Sequence, residues 1–170
     1  ESNLYMKYPP FDRIENKHYA PAFDRGMKEH MQEIDTIALN ESPPDFDNTI
    51  LAMEQAGMLL DRVATVFYAL TSAHTNDEME KIRSDMAPKL SAHSDKILLN
   101  SSLFARVDDL YKNRESLGID EESVRLIEKY HTDFVRAGAR LSEEEKERLK
   151  EINSEIAVLQ TSFSQNVLKE

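Results

Sequence analysis

The chain has 170 residues, of which 40% are hydrophobic, so it is long enough to bury a core as one domain. Its net charge of −11 is spread along the chain, which argues against binding to nucleic acid or an anionic membrane surface. The absence of Cys excludes disulfides, thiolate zinc sites and cysteine nucleophiles. Only four Gly and six Pro, among many helix-forming residues, favour an all-α fold.

Residues 1–17 predict an extended lead-in ahead of a helical domain over residues 18–170. Because Pro9 and Pro10 lack amide protons and restrict the residue before them, they disfavour regular secondary structure here. Several apolar side chains of this lead-in are expected to pack on the helices: Tyr5, Tyr8, Phe11 and Ile14.

Two long helices are predicted next, the first over about residues 18–39 and the second over about residues 48–72. Pro21 is tolerated in a first turn, and Asp47 is a suitable N-cap for the second helix. The first apolar stripe comprises Phe23, Met27, Met31, Ile34 and Ala38. The second comprises Met53, Ala56, Leu60, Val63, Phe67 and Leu70. Because the second helix is also apolar on other sides, it is expected at the centre of the bundle.

A third helix is predicted from Thr75 to about Leu99. Thr75 and Glu78 have the spacing of a capping box, and Pro88 inside the helix is expected to kink it. The apolar stripe of this helix comprises Met79, Ile82, Met86, Leu90 and Ile97.

A shorter fourth helix is predicted over about residues 102–117, with Gly118 as its stop signal. Asp120 is the expected N-cap of a fifth helix that ends near Gly138. The fourth helix carries Leu103, Phe104, Val107, Leu110 and Tyr111, and the fifth carries Val124, Ile127, Tyr130, Phe134 and Val135.

The last helix is predicted to run from Ser142 to the end of the chain, with Ser142 and Glu145 as a capping box. No C-cap signal closes it, and we expect it to continue into a larger protein. Its apolar stripe is expected to bind the helix to its own bundle, while Val158 and Leu168 point elsewhere. The stripe comprises Leu149, Ile152, Ile156, Leu159, Phe163 and Val167. These patterns together predict an elongated all-α bundle of about six helices with short connections.

The five histidines are the remaining candidates for metal or acid–base chemistry: His18, His30, His74, His93 and His131. None is followed by Glu, so the zinc-peptidase motif His-Glu-x-x-His does not occur in this sequence. His30 and Glu33 have the spacing of an ordinary surface pair. The sequence also lacks a Gly-rich phosphate loop and a nucleophile elbow.

Two Glu-x-x-His spacings, Glu15/His18 and Glu128/His131, match the pattern of carboxylate-bridged dinuclear metal bundles. The first lies in the lead-in. The second is on an apolar helix face, where a hydrogen-bonded core histidine is the more common outcome. Arg136 and Arg140 could anchor a carboxylate, although pairing with acidic neighbours across the interhelical turn is the favoured interpretation.

Several short strings then occur in a fixed order along the chain: Pro10-Phe11-Asp12, His18-Tyr19, Pro21-Ala22-Phe23, Gly26-Met27, Phe46-Asp47-Asn48-Thr49-Ile50, His74-Thr75-Asn76-Asp77, Ala87-Pro88-Lys89-Leu90, Asp133-Phe134-Val135-Arg136-Ala137-Gly138-Ala139 and Phe163-Ser164-Gln165-Asn166-Val167-Leu168-Lys169-Glu170. In this order they resemble the N-terminal region of bacterial peptidyl-dipeptidases, in the thimet-oligopeptidase family of zinc metallopeptidases. The resemblance covers essentially the whole chain and is closer to the peptidyl-dipeptidases than to oligopeptidase A, mainly through residues 46–50 and 74–77.

The resemblance implies a mostly helical enzyme with a deep channel that admits short, unfolded peptides and removes C-terminal dipeptides. Its zinc helix carries His-Glu-x-x-His, whose glutamate activates the metal-bound water, and a later Glu is the third ligand. Those elements lie downstream in the family, so no catalytic, cofactor-binding or metal residue is assigned in this chain. Residues 18–170 would then form part of one wall of the channel, with zinc held elsewhere in the parent.

The sequence leaves three hypotheses. The leading one is the N-terminal segment of such a peptidase, inert alone, whose partners are the remainder of its own chain and short peptides. The second is a self-contained helical interaction module, and the third is the dinuclear metal bundle. The sequence beyond Glu170 separates the first two. We also expect a cytoplasmic location, or a periplasmic one if a leader is removed, and weak self-association through exposed apolar surface.

Overall fold

The computed structural model describes residue 6 and residues 8–167. This part of the chain forms helices and turns without a strand, so the predicted all-α class is confirmed. The helices are α1 (Tyr19–Ala38), α2 (Ala52–Gln55), α3 (Met58–Ala73), α4 (Asp77–Leu98), α5 (Ser101–Asn113), α6 (Glu121–Arg136) and α7 (Glu143–Val167). The expectations for Tyr5 and Leu168 lie outside the described residues.

The described part of the lead-in contains two short 3-10 turns, Phe11–Arg13 and Asn16–His18. Ile14 packs against the core, whereas Tyr8 and Phe11 are more than half exposed. The Asn16 amide donates to Glu78 Oε2 at 2.8 Å, which ties the lead-in to the first turn of α4. The expected packing of the lead-in therefore holds for Ile14 and fails for Tyr8 and Phe11.

The predicted second helix begins earlier than expected and is broken. Asp45, and not Asp47, is the N-cap, because its carboxylate accepts from the Asn48 amide at 2.6 Å while the Asn48 side chain accepts from the Asp45 amide. Asp47 has Ile50 three residues on, which cannot reciprocate in this way. The chain then passes through a π-helical segment, Phe46–Leu51, into the four-residue α2.

Gly57 separates α2 from α3, so the prediction of one continuous helix over residues 48–72 was wrong. Its φ of +75° lies in the left-handed region, which glycine adopts without steric cost. A Cβ here would come within 2.9 Å of the His30 ring. The Gly57 amide donates to Glu33 Oε2 at 2.7 Å, so two side chains of α1 hold the break in place.

The start of α4 also differs from the predicted Thr75/Glu78 capping box. Asn76 is the N-cap, and its side-chain oxygen accepts from the Met79 amide at 3.0 Å. Thr75 instead donates to Glu80. Pro88 lies inside α4, and the kink expected there stays a prediction.

The later helix boundaries agree better with prediction. Asp120 caps α6 by accepting from the Ser123 amide at 2.9 Å. Gly118 has a φ of +68° in the preceding connection, as expected for a stop position. Ser142 and Glu145 form the predicted box at the start of α7, since each accepts from the backbone amide of the other.

Two hydrophobic clusters form the core. One joins the C-terminal half of α1 to α2, α5 and α6, and contains Ile34, Ile37, Ile50, Met53, Leu103, Val107, Leu110, Ile127, Phe134 and Ala139. The other joins the N-terminal half of α1 to α3 and α4, and contains Tyr19, Phe23, Phe67, Met79 and Met86. α1 contributes to both clusters, and residues 48–72 do so as well through Ile50, Met53 and Phe67, so α1 shares the central position predicted for residues 48–72. None of the described residues of α7 belongs to either cluster.

A buried arginine that the sequence did not indicate fixes the connection after α1. Arg106 on α5 is 7% exposed and donates to the carbonyl oxygens of Asn40 and Ser42 and to the side chains of Asn48 and Thr49. Each of its nitrogens has a partner, so the cost of burying the charge is offset.

Candidate functional site

The apolar stripe of α7 faces solvent, so the prediction that it binds the helix to its own bundle was wrong. Only Leu149 at its N-terminal end is partly buried. The exposed fractions of the other five residues are Ile152 38%, Ile156 44%, Leu159 59%, Phe163 71% and Val167 56%. This stripe, residues 152–167, is the largest continuous line of exposed apolar side chains along a single helix in the described part of the chain.

The face of α7 that contacts α4 carries polar and small side chains. It lies roughly 100° around the helix from the stripe. Lys146 is 2% exposed, and its amine donates to Ser101 Oγ at 2.7 Å and to Glu143 at 2.8 Å. Asn153 donates to Asp95 Oδ1 at 2.7 Å. Small side chains farther along the same face let the two helices approach closely: Ser154, Ala157, Thr161 and Ser164.

The C-terminal half of α7 is fixed in the same way. The Gln165 amide donates to the carbonyl oxygen of Glu80 at 2.9 Å and to Ser84 Oγ at 2.8 Å. Because residues 146, 153 and 165 contact residues 101, 95 and 80–84 in turn, α7 runs antiparallel to α4. Hydrogen bonds thus set the rotation of α7 and leave its apolar stripe open.

An open groove runs beside the stripe, between α7, α4, α3 and the end of α6. It consists of two adjoining cavities of about 550 and 420 Å³ that share Tyr68, Ala87, Gln160 and Thr161. Ile156 and Phe163 line the groove and also belong to the stripe, so the groove and the stripe form one surface.

The floor of the groove contains a buried carboxylate with a free oxygen. Asp95 is 7% exposed, and its Oδ1 accepts from Asn153, while Oδ2 is buried without a hydrogen-bond partner. A buried acceptor without a partner is costly. Arg136 at the end of α6 lines the same groove and is exposed.

His131 is a buried core histidine, as expected for its position. Its ring stacks on Tyr111 with 3.7 Å between centroids, and its Nε2 lies 3.2 Å from Asp108 Oδ1 and 3.2 Å from Arg140 Nη2. Arg140 also lies 3.5 Å from Asp108, in line with the expected pairing to an acidic neighbour. Hydrogen bonds from Lys112 and His131 hold the pKa of Asp108 below its usual value. This cluster fastens the α6–α7 turn to α5.

The two Glu-x-x-His pairs do not converge on a metal centre. Glu128 accepts from Arg114 at 2.9 Å, away from the Asp108 contact of His131. Glu15 and His18 cap a turn of the lead-in. Among the described residues, no three His, Asp or Glu side chains are arranged to hold a metal ion. The hypothesis of a dinuclear bundle gains no support.

A pair of histidines joins α1 to α4. His30 Nδ1 lies 3.0 Å from His93 Nε2, and Glu33 binds the Gly57 amide, so the predicted surface pair of His30 and Glu33 was wrong. Burial, with His30 and Lys96 nearby, lowers the pKa of His93 to about 4. Burial also lowers the pKa of His30, although Glu33 opposes the shift.

Over the residues that the structure describes, no helix has the length and apolar character needed to span a membrane.

Comparison with known proteins supports the resemblance noted from the motifs. The dipeptidyl carboxypeptidase of Escherichia coli (strain K12) is 50% identical over 168 residues, which are 99% of this chain and 25% of that protein. The dipeptidyl carboxypeptidase of Salmonella typhimurium is 49% identical over the same length and the same shares. Oligopeptidase A of Haemophilus influenzae is 26% identical over 160 residues, 94% of this chain and 23% of that protein. No protein-family model matches the chain.

The chain therefore spans about a quarter of the length of the curated relatives it matches. Its greater identity to the dipeptidyl carboxypeptidases than to oligopeptidase A agrees with the branch that the strings at residues 46–50 and 74–77 indicate.

Proposed function

We propose that the chain is a structural segment of a thimet-oligopeptidase family member, because it matches the N-terminal region of bacterial dipeptidyl carboxypeptidases. In the parent it forms part of the wall of the channel that admits short peptides. Zinc and the groups that cleave the peptide bond belong to other parts of the parent. This segment supplies shape and packing surface and is inert alone.

The observation that carries this proposal is the 50% identity to a dipeptidyl carboxypeptidase over 99% of the chain. Identity of this extent supports a shared role for the whole segment. The described side chains are consistent with a structural role. The polar groups around Arg106 and His131 form hydrogen bonds that hold neighbouring loops and helices together.

The test is an assay of the full-length parent and of this chain side by side, with a blocked short peptide and a folded protein as substrates. We expect the parent to release C-terminal dipeptides from the short peptide only, and a chelator to abolish the reaction. This chain with added zinc should release none. Turnover by this chain alone, or a parent without dipeptide release, would overturn the proposal.

The exposed stripe of α7 favours a second candidate, a helical module that binds a separate protein. An apolar helix face is a common recognition element in such complexes. The sequence beyond residue 170 distinguishes the two candidates: a longer reading frame with His-Glu-x-x-His supports the peptidase, and a stop codon supports the module. For the peptidase we place the parent in the cytoplasm, with the periplasm as the alternative, and cell fractionation distinguishes them.

A further inference from the structure

We propose that the groove beside α7 holds an amphipathic segment from the remaining three quarters of the parent peptidase. The segment lays apolar side chains on the stripe and presents a carboxylate or carbonyl oxygen to Arg136 at the border of the groove. This inference rests on the proposed function and deepens it, because it states which surface of the chain meets the rest of the enzyme and what chemistry the covering segment carries.

The exposed surface beside the groove is apolar. Ile156, Leu159 and Phe163 follow one another along one side of α7, and each is at least 44% exposed. Large apolar patches seldom stay in contact with water, since covering them contributes about 25 cal/mol per Å². α7 needs no such contact to stay on α4, because Asn153 and Gln165 hold it there. The stripe is therefore available for another partner.

The remainder of the parent chain is the partner available to this surface. The relatives are about four times as long as this chain. In a parent of that size, another segment of the same chain is available to cover the surface. An intrachain partner has a much higher effective concentration than a separate protein, of the order of millimolar for a short connection. Covering the groove from within the chain is thus favoured over a second copy.

The groove also has polar groups. Asp95 on its floor is 7% exposed and accepts from Asn153, so it is closed to an incoming segment. Arg136, on the other side of the same groove, is exposed and calls for a carboxylate or carbonyl oxygen. The covering segment is therefore apolar along one face and carries an acceptor at its border.

The shape of the groove fits a helix or an extended strand of chain. The two cavities adjoin through Tyr68 and Gln160 and follow α7 from Leu149 to Phe163. That stretch is about 20 Å long at the helical rise, which corresponds to about four turns of a partner helix. A partner along this length covers most of the stripe.

The experiment uses single cysteines, for which this chain is suited because it contains none of its own. Ile156→Cys and Phe163→Cys probe the groove, and Leu39→Cys, at a position 73% exposed at the end of α1, is the matched control. Each is placed in the full-length parent and in this chain, and the maleimide labelling rate of its peptide is measured by mass spectrometry. Dipeptide release by each parent variant is recorded in parallel.

We expect labelling at positions 156 and 163 to be about tenfold slower in the parent than in this chain, and labelling at position 39 to be alike in both. A photo-crosslinker in place of Phe163 should then join residues of the same parent chain. The cross-linked peptide should contain Asp, Glu or another side-chain acceptor within reach of Arg136.

Three results would overturn the inference. Equal labelling in both proteins would mean that the surface stays open, and protection that appears only with added peptide would place it on the substrate channel. Protection in the parent that rises with its concentration and is lost on dilution would assign the surface to a second copy. In each case dipeptide release by the parent would leave the proposed function standing, whereas its loss in the unsubstituted parent would remove that function itself.

Discussion

Helices α6 and α7 carry apolar stripes of the same kind but bury them to opposite extents. In α6, Ile127 and Phe134 are 0% and 1% exposed and lie in the core. In α7, Phe163 is 71% exposed and the polar side of the helix faces the bundle. Helical periodicity therefore identifies an apolar face, while the neighbouring helices decide whether that face is covered.

The contacts that orient α7 explain the difference. Asp95 and Ser84 lie on the side of α4 that faces α7, and they offer hydrogen bonds and little apolar surface. A helix that turned its stripe toward them would leave Asp95 without a partner at both oxygens. The apolar stripe therefore stays exposed and is available to the segment that covers the groove.

The largest expected effect comes from truncating one phenylalanine in each helix. Phe134→Ala should lower the free energy of unfolding by about 3–5 kcal/mol, because it leaves a cavity in the core. Phe163→Ala in this chain should change it by less than about 0.5 kcal/mol. Urea denaturation followed by circular dichroism measures both, and Ile127→Val, with an expected loss of about 1 kcal/mol, replaces Phe134→Ala if that variant does not fold. Similar losses of unfolding free energy at positions 134 and 163 would contradict the difference in burial between α6 and α7.

A smaller loss is expected when a polar anchor of α7 is removed. Asn153→Ala takes away the donor to Asp95 and leaves a buried carboxylate without a partner, at a cost of about 1–3 kcal/mol. Asn166→Ala, at an exposed position of the same helix, is the matched control and should be neutral. The same urea titration tests the pair. If Asn153→Ala is also neutral, hydrogen bonds do not orient α7.

A pH dependence is expected on the side of α4 opposite to α7, where His93 meets α1. The folded-state pKa of His93 is about 4, below its usual value of 6.5. The unfolded chain therefore takes up more protons between these values, and the stability from this group is present above about pH 6.5 and lost as pH falls toward 4.

The measurement is the thermal unfolding midpoint between pH 7 and pH 4 for the unsubstituted chain and for His93→Gln. The substitution should flatten the decline, while His74→Gln, at an exposed position, should leave it unchanged. Equal slopes for all three proteins would show that the His30–His93 contact does not control the pH response.

The smallest effect on stability is expected for a substitution that should clearly reduce self-association. Phe163→Asp should leave the unfolding free energy of this chain within about 0.5 kcal/mol, because the side chain is in water already. It should also reduce self-association, since it interrupts the apolar stripe with a charge. Light scattering at rising protein concentration checks this, with Leu39→Asp as the control at another exposed apolar position. A chain that stays monomeric at millimolar concentration before substitution would contradict the expectation.

Much of the fold could be predicted because helix positions depend on local pattern. The stripes of α1, α4, α5 and α6 supply the two cores, and Asp120 and Ser142 begin their helices as their spacing indicates. Where two capping residues lie close together, the partner three residues on decides between them. Asn48 therefore selects Asp45 over Asp47.

The features that could not be predicted depend on contacts between distant residues. The break at Gly57 is stabilised by His30 and Glu33 of α1, which no periodicity within residues 48–72 can reveal. The buried Arg106 is recognisable only once the carbonyl oxygens of the loop after α1 surround it. For α7, the row of small residues at Ser154, Ala157, Thr161 and Ser164 was the one available signal of the buried face.

The most direct test of the orientation of α7 compares two single cysteines in this chain. Phe163→Cys lies on the open stripe, and Ala157→Cys lies on the partly buried side toward α4. The expected result is maleimide labelling of Phe163→Cys at the rate of a free thiol, with Ala157→Cys several-fold slower, by a factor of about five or more. The reverse order of rates would mean that α7 binds the bundle through its apolar stripe, and would contradict the open stripe on which the proposed interface depends.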